Sequence, residues 1–165
     1  TIFGDFSDDF TAKLWAEVTK EMQGRDDMSV TFLPRMAKET CNVMNQPFET
    51  QPACRMARAL ESAGRLGGPD AYWKMFDWLV ANGKQYNESR LPEAAAAAGL
   101  ELESLKADMA LDDVMYILLE NSKLFQRTGA RGVPTLFVNE RCILRWKIND
   151  TSIVDRVIRL APQVQ

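Results

Sequence analysis

Gly129-Ala-Arg-Gly-Val-Pro-Thr-Leu-Phe-Val-Asn-Glu-Arg-Cys-Ile-Leu-Arg-Trp146 is the stretch that decides the fold. A Gly-Val-Pro-Thr turn runs directly into the apolar strand Leu136-Phe137-Val138. Proline lacks an N–H, so it belongs at the first residue of a strand or on an edge. Proline is also the residue at which a cis peptide is affordable, which makes Val133-Pro134 a candidate. Asn139-Glu140 reads as a turn, and Ile143 to Trp146 as a second short strand antiparallel to the first.

Working outward, Thr1 to Phe6 reads as a short strand. Phe10, Leu14, Val18 and Met22 then recur on one helical face, with Ser7, Asp8 and Asp9 supplying caps and negative charge at the start. Met28 to Leu33 alternates as a strand and ends at Pro34; residues 35 to 51 show no regular pattern. Helices are expected over Ala53–Leu66, from Pro69 to about Asn82, from Pro92 through the five alanines Ala94–Ala98, and over Leu111–Gln126. A last helix is expected from about Thr151 to Leu160. Strand, helix, strand, a run of helices, then two strands and a helix gives an α/β chain. Its mixed sheet carries helices on both faces, its first βαβ unit is parallel and right-handed, and a helical subdomain is inserted.

The 165 residues are 46% hydrophobic, enough for one domain with its own core. Net charge is -3 with both signs interspersed, which favours neither nucleic acid nor an anionic membrane surface. No apolar run approaches a membrane span, and no signal-peptide pattern is present. The chain starts at Thr1 without an initiator Met, as a processed protein or a piece of a longer one would. Histidine is absent, which removes His-assisted nucleophiles and His-ligated metals. The three cysteines, Cys41, Cys54 and Cys142, are too few and too scattered for a zinc site, and no cofactor is expected. Tyr72, Trp73, Phe76 and Trp78 share one helix; core between the helical insertion and the sheet is the expected role, with a substrate-facing patch as the alternative.

Three segments resemble the DsbA-like thioredoxin-fold family: the Phe-x-Asp-Phe element and helix in TIFGDFSDDFTAKLW, the middle segment from Cys41 to Gly68 followed by YWKMFDWL, and the GVPTLFVNER loop and strand. The resemblance spans nearly the whole chain. It implies a single domain over residues 1–165, with thioredoxin-fold parts at about 1–50 and 127–165 and a helical insertion at about 51–126. It also implies an extracytoplasmic or periplasmic setting and a cis-proline loop at Pro134.

The family's Cys-x-x-C motif is missing. Aligning Asp5-Phe6 with the family pattern puts Asp8-Asp9-Phe10-Thr11 in its place, so Asp8 stands for the attacking cysteine and Thr11 for the resolving one. A carboxylate cannot form a mixed disulfide and a threonine cannot resolve one. No catalytic residue is therefore expected, and the family's thiol-disulfide oxidoreductase activity should be absent from this site.

Two carboxylates at a helix start are, at their simplest, caps. Beyond that, the resemblance implies a binding platform in which Val133 pairs its backbone with an extended peptide or protein segment. Its groove would be made by Asp8, Asp9, Phe10, Val133 and Pro134, with Arg131 facing Asp8 or Asp9. Kappa-class glutathione transferases offer a second resemblance, through Asp5-Phe6-Ser7, with Ser7 as the group activating a glutathione thiol; two adjacent carboxylates oppose a second anion there. A hydrolase using Asp8 and Asp9 as acid and base is disfavoured, because successive helical residues point about 100° apart. Redox activity through another thiol is the remaining alternative. The middle-segment resemblance implies a Cys41–Cys54 disulfide, against two buried free thiols, and Cys142 is expected as a buried core thiol.

Overall fold

The computed structural model describes residues 1–35 and 52–161. A four-stranded sheet runs in the order β2-β1-β3-β4, built from β1 (Ile2–Gly4), β2 (Phe32–Pro34), β3 (Thr135–Val138) and β4 (Arg141–Ile143). β1 and β2 are parallel, while β3 is antiparallel to both β1 and β4. Between β1 and β2 lies α1 (Asp9–Met22). The helical run comprises α2 (Pro52–Asn82), α3 (Leu91–Ala98), α4 (Leu102–Met109) and α5 (Asp112–Arg127), and α6 (Val154–Leu160) closes the chain.

α2 is broken where Gly68 takes φ 67, ψ -162, a left-handed backbone that glycine adopts at little cost, and Pro69 restarts the helix. The expected pair of helices meeting at Gly67-Gly68 and Pro69 is thus present. The strand expected over Met28–Leu33 is shorter and shifted to Phe32–Pro34, because β1 offers ladder partners only from Ile2, which faces Phe32. The strand expected at Ile143–Trp146 begins instead at Arg141. Asn139 and Glu140 take φ 46 and 65, the paired left-handed conformations of a two-residue hairpin, so Val138 faces Arg141 directly. Asn149 and Asp150, at φ 49 and 60, make a second such hairpin between β5 (Lys147–Ile148) and β6 (Thr151–Ser152). That hairpin takes the residues expected to open the last helix. α4 has no counterpart among the expected helices; the Glu101 carboxylate caps it by accepting from the Glu103 and Ser104 N–H groups at 2.9 and 2.6 Å.

One core joins sheet and insertion. Ile2, Phe6, Leu14, Phe32 and Leu136 from the sheet, α1 and the turn between β1 and α1 pack with Met56, Leu60, Met75, Phe76 and Leu79 of α2. Phe76 is its hub, with ring centroids 4.6 Å from Trp15, 4.6 Å from Phe32, 5.2 Å from Trp73 and 5.5 Å from Phe6. Tyr72, Trp73 and Trp78 are half-buried against this core, in agreement with the core reading of the aromatic stripe.

Among the described residues β2 is a border strand of the sheet. Thr31 and Arg35 turn backbone groups toward β1, with Ile2 N donating to Thr31 O at 2.8 Å and Arg35 N donating to Gly4 O at 2.7 Å. Phe32 and Pro34 therefore face outward, and the Tyr72 hydroxyl donates to the Phe32 carbonyl at 2.8 Å.

Glu61 of α2 faces α5, where Asn121 Nδ2 donates to its carboxylate at 3.4 Å. Burial pushes the Glu61 carboxyl up to about 7 from an ordinary 4.5. A carboxyl that holds its proton more tightly when folded adds most stability below its unfolded pKa, and that contribution falls as pH rises from about 4.5 to about 7. Glu61→Gln is expected to abolish this slope and raise stability near pH 8 by about 2–3 kcal/mol, read from urea midpoints across the pH range. Equal midpoints for both proteins near pH 8 would contradict the assignment.

Candidate functional site

The end of β1, the start of α1 and the loop entering β3 meet at one end of the sheet. β1 pairs Phe3 with Thr135, so the antiparallel β3 begins beside the point where β1 ends. Asp5 is buried, and its Oδ1 accepts from the Ser7 N–H at 2.8 Å and the Ser7 hydroxyl at 2.6 Å. Asp8 N donates to Asp5 O at 3.0 Å, which closes the turn and aims the chain into α1.

Asp8 is the N-cap of α1, with φ -101 and ψ 126. Its Oδ2 accepts from the Thr11 N–H at 3.0 Å and from the Thr11 hydroxyl at 3.2 Å. The same hydroxyl accepts the Asp5 N–H at 3.1 Å. Thr11 is 1% exposed, and a side chain on Gly4 would collide with its methyl group and with Phe32. Asp8 and Thr11 thus bond to each other, one at the helix mouth and one beneath it.

Asp9 forms an ion pair with Lys84. Lys84 belongs to a single turn of 3₁₀ helix, Gly83–Gln85, that follows α2. Gly83 lies so close to Phe6 that a Cβ there would strike the Phe6 carbonyl oxygen. The insertion therefore abuts the site from one side, through two residues that sequence reasoning did not single out. Their partners lie more than seventy positions away, so no local pattern marks them. Phe10 is 52% exposed, and the Lys13 ammonium lies 5.3 Å from its ring centroid.

The facing loop begins at the C-terminus of α5. Thr128 caps it, its hydroxyl donating to Phe125 O at 2.6 Å and accepting the Ala130 N–H at 3.2 Å. Gly129 follows at φ 71. The Val133–Pro134 peptide is cis, and the Thr135 hydroxyl donates back to Gly132 O at 2.5 Å. Val133 and Pro134 are half-buried, whereas Arg131 and Gly132 are exposed. Among the described residues no ion pair joins Arg131 to Asp8 or Asp9; Lys84 takes the partner role at Asp9.

Ser7 is exposed, but its hydroxyl proton is directed at Asp5, which competes with donation to a ligand thiolate. Cys142 is a free thiol on β4 and is half-exposed rather than buried, because β4 borders the sheet and β3 covers one side only. Cys54 is buried and is not a free thiol. Cys41, named as its partner, lies outside the described residues. Among the described residues no group of three or more acidic or thiol side chains converges to hold a metal ion, and no helix is long and apolar enough to cross a membrane.

A family model, the DSBA-like thioredoxin domain, matches residues 16–157. The matched span begins within α1, after Asp8 and Thr11. No curated protein matches the chain.

Proposed function

We propose that this chain, which belongs to the DSBA-like thioredoxin domain family, is a non-redox module that holds an extended peptide or protein segment at the junction of α1 and the Val133–Pro134 loop. The observation that carries this reading is the Asp8–Thr11 pair: Thr11 donates its N–H and its hydroxyl to the Asp8 carboxylate, at the two positions that the resemblance aligns with an attacking and a resolving thiol. Exchange needs a thiolate at the helix N-terminus, and none stands there. Phe10 stays open to solvent beside that pair and offers an apolar anchor, while Val133 offers main-chain groups for strand-like pairing. Asp8, Arg131 and the Asp9–Lys84 pair give the rim mixed charge. The partner is a peptide or protein segment rather than nucleic acid.

Titration of the isotope-labelled protein with an unfolded, alkylated model protein tests this. Amide shifts are expected at Ser7–Phe10 and Val133–Thr135, and binding should weaken in Phe10→Ala by about 1 kcal/mol or more. Saturable binding that leaves both segments unshifted would overturn the reading.

A Cys41–Cys54 disulfide and an extracytoplasmic location belong to the same proposal. They are supported by the family membership and by Cys54 not standing as a free thiol. Alkylation without reductant is expected to label Cys142 alone; labels on both Cys41 and Cys54 would sink the bridge and with it the argument for an oxidising compartment.

A further inference from the structure

We infer that the segment held at the junction of α1 and the Val133–Pro134 loop is an acidic one: an extended stretch with an apolar residue flanked on both sides by aspartate or glutamate. This rests on the binding-module reading above and names the class of segment that the site selects.

The rim is mixed in the charges it carries but not in the charges it leaves available. Both of its carboxylates are engaged. The Asp8 carboxylate is turned into the start of α1, where it accepts from the Thr11 N–H and hydroxyl. The Asp9 carboxylate is ion-paired with Lys84. The remaining cations are not spent in this way. Lys13 on α1 and Arg131 in the loop are both exposed, and among the described residues neither forms an ion pair. Arg127, in the last turn of α5 where the loop begins, is likewise exposed and unpaired among the described residues. Available positive charge thus gathers at this end of a chain whose net charge is -3.

Position agrees with sign. The Lys13 ammonium lies 5.3 Å from the centroid of the Phe10 ring, so the exposed apolar anchor and a cation stand side by side on α1. Arg131 precedes Val133, whose backbone pairs with the segment, by two residues. Two residues of chain span at most about 7 Å, and a long side chain covers that distance to a residue on a paired strand. One cation therefore flanks the site from the helix and another from the loop, which asks for acids on both sides of the apolar residue. A basic segment meets the reverse. Lys13, Arg127 and Arg131 repel it, while the carboxylates that would attract it are held by Thr11 and Lys84.

Three peptides of one length test this, each with a Val-Leu-Val centre flanked on both sides by two glutamates, two glutamines or two lysines. Each is titrated into the isotope-labelled full chain. The glutamate peptide is expected to bind at least about tenfold tighter than the lysine peptide at about 10 mM salt, with the glutamine peptide between them. The gap should close as salt rises to about 500 mM. Lys13→Gln and Arg131→Gln are each expected to weaken the glutamate peptide by about twofold to fivefold and to leave the glutamine peptide nearly unchanged. Both side chains are exposed, and melting curves check that the variants keep the fold. The double variant Lys13→Glu, Arg131→Glu should prefer the lysine peptide. Shifts at Ser7–Phe10 and Val133–Thr135 with equal affinity for the glutamate and lysine peptides, or with tighter binding of the lysine peptide, would overturn the acidic assignment and leave the binding module standing. Saturable binding without shifts at those residues, or no binding of any of the three by about 5 mM, would overturn both.

Discussion

The Asp8→Cys, Thr11→Cys double variant is expected to catalyse insulin reduction by dithiothreitol at least about tenfold faster than the natural chain, which should match the uncatalysed rate. The scaffold around these positions is already suited to the chemistry. Position 8 sits at the mouth of α1, where free N–H groups and the helix dipole stabilise a thiolate. Position 11 is 1% exposed, as suits a thiol that attacks from within a mixed disulfide rather than from solvent. The substitution also removes the hydrogen bonds joining Asp8, Thr11 and the Asp5 N–H. Losing such a cap costs about 0.5–2 kcal/mol, so the reduced variant should melt earlier than the natural protein. Activity in the variant alone supports a site that has lost its chemistry and kept its shape. Equal activity in the natural chain would mean that another thiol works, and Cys142, the free thiol among the described residues, would be the first to replace by serine.

Phe76→Ala is expected to lower the unfolding free energy by about 3–5 kcal/mol. Phe76 is 0% exposed and touches rings from β2, α1, α2 and the β1–α1 turn. Removing it opens a cavity where the helical insertion meets the sheet, and neighbours that are themselves rigid rings collapse into it poorly. For a domain of this size the melting temperature should fall by about 6–20 °C. Phe76→Leu, which fills much of the same volume, should lose distinctly less. A loss below about 1 kcal/mol for Phe76→Ala would show that insertion and sheet are joined elsewhere. Because Phe6 packs on Phe76 and directly precedes the Ser7–Asp8 turn, the same variant should also loosen the start of α1, visible as faster amide exchange at Asp8.

What was legible in the sequence followed from strong local rules. Phe10, Leu14, Val18 and Met22 at helical spacing, the Gly68-Pro69 break and the Pro134-led strand placed α1, α2 and β3 close to where they lie. The errors fell where two residue types share a rule. Asn-Glu and Asn-Asp can each take the left-handed pair of a tight hairpin without glycine; the turn read at Asn139-Glu140 was followed by a strand placed two residues late, and Asn149-Asp150 carried no turn reading, which hid β5 and β6. α4 was hidden because Glu, rather than Ser or Asp, caps it; the Leu102, Leu105 and Met109 spacing was the available signal. At the site, Asp8 and Thr11 drew notice because the family resemblance aligns them with a known motif. Lys84 and Gly83 were not, since only the folded chain brings the end of α2 against Phe6 and Asp9. Arg131 illustrates the converse: proximity in sequence to Pro134 suggested a partner for Asp8 or Asp9, whereas the ion pair seen at Asp9 is with a distant lysine.

The bond from Tyr72 to the Phe32 carbonyl bears on how this molecule meets its neighbours. A β-sheet is an unfinished polymer, and each bordering strand is a growing end. Here one end is stopped twice. Pro34 has no hydrogen to give, and the phenol takes up the carbonyl that a newcomer would need. A foreign strand therefore finds two of the outward backbone positions of β2 closed to pairing, which disfavours stacking of copies through it. The sheet's other border is β4, with Cys142 at its centre. Any strand-like association beyond the Val133 loop is thereby directed to one side of the protein, where an oxidisable thiol lies on the strand that would receive it.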